Sequence, residues 1–150
     1  MNKRQIWFYG SLLVTLVTLV LLMTGSPVLT ISLNDSNTIP LGTFITWAGM
    51  ISLPLAIYWG VRPLRKPAGT VVRFISVLLK ISLILAILWV PISYLLAGNL
   101  SFSFSEKATF QGGQTAMKWF WRYSYGIGIV AVASLLAYWI SLLFKPKKAK

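Results

Sequence analysis

Cysteine and histidine are both absent from this chain of 150 residues, and its only carboxylates are Asp35 and Glu106. Without cysteine there is no disulfide, no thiol nucleophile and no thiolate ligand. Without histidine the chain loses the side chain best suited to proton transfer near neutral pH and the usual zinc and haem ligand. These absences lead us to expect no enzyme activity, no metal and no cofactor. A proton or cation pathway driven by carboxylates needs an acid within an apolar span. Asp35 and Glu106 instead fall between the long apolar runs, which argues against a stand-alone proton-coupled transporter. Charge is scarce in general: 11% of residues are charged, against about 25% in an ordinary soluble domain.

What the chain does have is apolar length. Hydrophobic residues make up 57% of the sequence and the mean hydropathy is +0.75. Four apolar runs stand out, at about 6–24, 41–61, 72–97 and 119–144. At about 1.5 Å of helix rise per residue, each is long enough to cross a hydrocarbon core of about 30 Å. The expected fold is therefore all-α: one integral membrane domain over 1–150, with four transmembrane helices in an up-down bundle. The first run also has features of a signal peptide, with basic residues before an apolar stretch and small residues at Thr24-Gly25-Ser26. Its length and the following Pro27 favour a retained span.

The net charge of +12 is distributed in a telling way. Ten of the fourteen basic residues form three clusters: Lys3 and Arg4; Arg62, Arg65, Lys66 and Arg73; and Lys145, Lys147, Lys148 and Lys150. The other two connections hold both acids. Basic flanks resist translocation, so both termini and the middle turn are expected inside, most simply at a bacterial cytoplasmic (inner) membrane. Nucleic acid is not an expected partner, because the basic segments are short and flank spans rather than forming a folded platform. Membrane lipids are.

Within the spans, small residues recur every four positions. The second has Ala48, Ser52, Ala56 and Gly60; the fourth has Ala133, Ala137 and Ser141. Residues four apart share a helix face, and small ones let backbones approach closely, which drives helix association in lipid. Such a face serves the chain's own bundle or a further membrane subunit. Lys80 is the one ionisable residue well inside a span. A charge there costs about 2.5–3.5 kcal/mol on insertion scales. It stands seven residues, about 10 Å of rise, after Arg73, within reach of snorkelling to the inner head groups. Contact with a partner subunit or an anion is the other use. Ser76, four residues earlier, shares its face.

Three local expectations complete the reading. Pro54 and Pro91 should kink the two central spans. Val28–Leu33, rich in β-branched residues, and the strictly alternating Leu100–Ser105 are candidates for a short β pairing in the outer loops. Gly112-Gly113 should form a turn, with Thr115 as the N-cap of the fourth helix. By elimination, the expected function is non-enzymatic: an accessory or assembly subunit of a larger membrane protein, or an immunity-type binder. The alternative is a small oligomeric transporter or channel in which Lys80 meets an anion or an anionic lipid.

Overall fold

In the computed structural model, residues 2–34, 39–101 and 110–144 are described. They form six α-helices: α1 (Lys3–Met23), α2 (Leu41–Gly60), α3 (Arg62–Arg65), α4 (Thr70–Ile87), α5 (Trp89–Ala97) and α6 (Gly113–Leu143). Four of them, α1, α2, α4 and α6, are long and apolar enough to cross a membrane. At 31 residues, α6 is about 46 Å long, well beyond a hydrocarbon core of about 30 Å.

The third run is two helices rather than one. The break comes at Leu88, between α4 and α5, three residues before Pro91. Pro91 has no N–H to offer the carbonyl of Ile87, and helix ends leave their last carbonyls without partners. Neighbouring helices supply the missing donors. Trp47 on α2 donates its indole Nε1–H to the carbonyls of Ala86 (3.0 Å) and Ile87 (3.1 Å). On α6, the Tyr123 hydroxyl donates to the Leu85 carbonyl at 2.6 Å. A break at membrane depth is tolerable because its polar groups are satisfied inside the protein. At Pro54, by contrast, α2 continues without interruption.

The buried positions keep a repeat close to seven. On α6 they are Phe120, Ser124, Ile127, Ala131, Ser134 and Tyr138, spaced alternately by four and three. Val72, Ile75, Leu79, Ser82 and Ala86 continue the pattern on α4, and Trp89, Ser93 and Ala97 carry it through α5. This spacing keeps one seam of each helix facing its neighbours. Two core clusters result. One joins Ile57, Leu64, Val72, Ile75, Leu79, Ala131 and Tyr138; the other joins Ala86, Trp89, Ala97, Phe120 and Ile127. The helix α1 lies to one side, packed on α2 and the turn that follows α1.

The connections differ from expectation in three places. Pro27–Thr30 forms a 3₁₀ turn, not a strand. Pro27 fits the first turn, the Ser26 hydroxyl accepts from the Val28 N–H, and Leu29 is buried. The connection instead closes on itself through an isolated Ser32–Pro40 bridge, and Phe102–Ser105 lie outside the described residues. The fourth helix starts at Gly113, with Gly112 as its N-cap, so Thr115 lies within the first turn. Gly113, at φ +65°, supplies the left-handed conformation expected of the glycine pair. The basic middle turn contains one turn of helix, α3, whose Leu64 is fully buried.

Candidate functional site

The chemistry-bearing side chains fall into three groups: the α1–α2 contact, the outward face of α6 with Lys80, and the basic end around Trp59.

The α1–α2 contact is built from small and hydroxyl side chains. The buried residues of α1 are Ser11, Thr15 and Thr18. Opposite them on α2 stand Gly49 and Ser52, and Gly60 lies against Phe8. The Thr15 and Ser52 hydroxyls are 2.9 Å apart, and either can donate. Thr18 donates to the Ile45 carbonyl at 3.3 Å. A Cβ on Gly49 would collide with the Thr18 side chain, and one on Gly60 would come 2.8 Å from the Phe8 ring. The α2 residues named from sequence thus divide: Ser52 and Ala56 are buried, Gly60 is half-buried against Phe8, and Ala48 is exposed. Its place in the ridge is taken by Gly49. Ser11, Thr15, Thr18 and Gly49 were not apparent from sequence. Their signal was a hydroxyl repeat at four and three in α1, easily missed in so apolar a segment.

On α6, the heptad seam faces inward and the ridge of small residues does not. Ala133 and Ala137 are exposed, and Ser141 is half-buried, its hydroxyl spent on the Tyr138 carbonyl of its own helix at 2.7 Å. All three line a shallow apolar groove of about 560 Å³ between α4 and α6, with Phe74 and Leu78 on its opposite wall. Small side chains here leave backbone close to the protein surface.

Ser76 and Lys80 share helix α4 but do not meet a common space. Ser76 is buried and donates to the Leu64 carbonyl at 2.6 Å, tying α3 to α4. Lys80 is exposed on the outside of the helix cluster and makes no hydrogen bond or ion pair among the described residues. A serine committed to a backbone carbonyl and a lysine turned outward do not form a base–nucleophile pair in this arrangement. A Lys80→Met variant should insert and fold as the parent does, with unfolding free energy unchanged within about 0.5 kcal/mol, as for other surface substitutions. Denaturant titration in detergent checks this; a loss above about 1 kcal/mol would mean that Lys80 has a structural partner.

At the basic end, Arg4 donates from Nε to the Trp59 carbonyl and from Nη2 to that of Gly60, both at 3.3 Å, capping the end of α2. The Arg65 guanidinium sits over the Trp59 ring, 5.2 Å from its centroid, and Trp7 stacks near the same ring at 6.5 Å. At the other end, Trp89 donates to the Ser124 hydroxyl at 2.8 Å within a cluster that includes Phe110, Phe120 and Trp121. No protein-family model, no curated protein and no solved structure matches this chain.

Proposed function

We infer that this protein is a non-enzymatic accessory or assembly subunit held within a larger membrane complex, with an immunity-type binder as a variant of the same role. The observation that carries this reading is the ridge of Ala133 and Ala137, both exposed, and half-buried Ser141 beside an apolar groove. In lipid, close backbone approach is the main source of helix association. Ser52 and Gly60 of the matching ridge on α2 are already used against α1, whereas Ala133 and Ala137 on α6 are open. We place both termini and the α3 turn on the cytoplasmic side of a bacterial inner membrane, in an up-down arrangement. The basic residues around α3 and at the start of α1, Lys3 and Arg4, support this orientation.

Transport through a path lined by Lys80 has less support. Lys80 lies outside the helix cluster, so any path along it would need further copies of the chain. Purification in mild detergent from the native membrane tests the two readings. The accessory role requires a larger membrane protein recovered at fixed stoichiometry. Ala137→Trp should reduce that recovery about tenfold, equivalent to about 1.4 kcal/mol, without unfolding the chain. Recovery of a discrete homo-oligomer alone, or full recovery with Ala137→Trp, would overturn the assignment.

A further inference from the structure

We propose that the corner formed by α1, the end of α2 and α3 is a binding site for the phosphodiester headgroup of an anionic phospholipid, with Arg65 and Arg4 as its main contacts. Arg65 has donors that the fold does not use. A guanidinium has five N–H groups in one plane, and stacking over a ring occupies its face while leaving its edges free. Arg65 is stacked in this way over Trp59. It is only half-exposed, its Nε is fully enclosed, and it forms no hydrogen bond among the described residues. A phosphate cannot reach that enclosed Nε; it accepts two parallel hydrogen bonds from the opposite edge of the guanidinium, formed by the two Nη groups, which are not enclosed.

Three further features fix the class of ligand. First, charge: Lys3, Arg4, Arg62, Arg65, Lys66 and Arg73 all flank this corner in the sequence, and no Asp or Glu occurs among the described residues. The site therefore attracts an anion. It also repels the ammonium of a zwitterionic headgroup, with no carboxylate side chain among the described residues to receive it. Second, order: Arg4 is held in place by two carbonyls at the end of α2, so little freedom is lost when it meets a phosphate. Third, surroundings: Arg4 borders a cavity of about 360 Å³ that it shares with Asn2, Gln5, Phe8, Tyr9 and Gly60, and Trp7 and Tyr9 are each 55% exposed. Aromatic side chains of this kind sit at headgroup level. A glycerol and the root of an acyl chain fit against Phe8 and Tyr9; a free phosphate makes no use of them.

The test is native mass spectrometry of the delipidated chain in a neutral detergent, titrated separately with phosphatidylglycerol, phosphatidylcholine and inorganic phosphate. Phosphatidylglycerol should bind at least about tenfold more tightly than phosphatidylcholine, and Arg65→Ala should weaken it about tenfold. Arg65→Lys keeps the charge and loses the planar fork, so it too should weaken binding severalfold; it decides the matter if Arg65→Ala does not fold. Arg122→Ala, at the similar stack over Trp119, should leave binding unchanged. Equal affinity for the two lipids would overturn the proposal. So would wild-type binding by Arg65→Lys, an equal loss with Arg122→Ala, or displacement of the lipid by inorganic phosphate.

Discussion

Leucine in place of Gly49 is expected to separate α1 from α2 and to lower the unfolding free energy by about 2–3 kcal/mol. The helices meet where Gly49 faces Thr18, and the first atom of any side chain at 49 would overlap Cβ, Oγ1 and Cγ2 of that threonine. Thr18 cannot swing aside freely, since it is β-branched and its hydroxyl is bonded to the Ile45 carbonyl. Forced overpacking of this kind costs about 1–3 kcal/mol, and here it also pulls apart the Thr15–Ser52 hydroxyl pair. The measurement is direct because the chain has no cysteine. Thr15→Cys and Ser52→Cys together should cross-link readily in the parent background and poorly with Gly49→Leu. An unchanged cross-linking yield would show that this seam is not what holds α1.

Trp47→Phe should cost about 1–3 kcal/mol although it keeps most of the aromatic volume. What is lost is one N–H shared between the Ala86 and Ile87 carbonyls. Leaving an acceptor unsatisfied at membrane depth carries the desolvation cost of that group. The expected signature is local. Amide exchange around Leu88 should rise while the α1–α2 contact stays protected. The Tyr123 hydroxyl continues to hold the Leu85 carbonyl, so the break should loosen without α5 detaching. Equal stability and exchange in the variant would mean that the break is satisfied by other means.

The four apolar helices were legible because their signal is long and redundant: about twenty apolar residues with basic flanks leave few alternatives. The break at Leu88 was legible only in part. Pro91 marks the disturbance, but where the helix parts depends on Trp47 and Tyr123, which lie about forty residues away on either side. A long-range hydrogen bond leaves no periodic trace. The strand expected at Val28–Leu33 rested on β-branched composition, yet Pro27 and Ser26 start a 3₁₀ turn that buries Leu29. Here local capping outweighed propensity. Spacing of four identified small residues without telling which neighbour each would meet. Ala48 and Gly49 differ by one position and about 100° around the helix, and only packing decides which of them faces α1. Arg65 read as one charge among several, because its stack on Trp59 depends on how α3 folds back.

The hydroxyls on the inner side of α1 have a consequence for what closes the protein. In a water-soluble bundle the greasy stripe turns inward and the polar stripe meets solvent. Here Ser11, Thr15 and Thr18 turn inward while Leu13, Leu16, Val17 and Val20 are exposed. Their preference for a nonpolar medium does nothing to bring α1 and α2 together, because lipid satisfies it as well as protein does. Close fit and hydroxyl pairing must do that instead. Transfer to water would reverse the polarity: the outer side would acquire a strong reason to hide, and the inner side would lose its reason to stay shut.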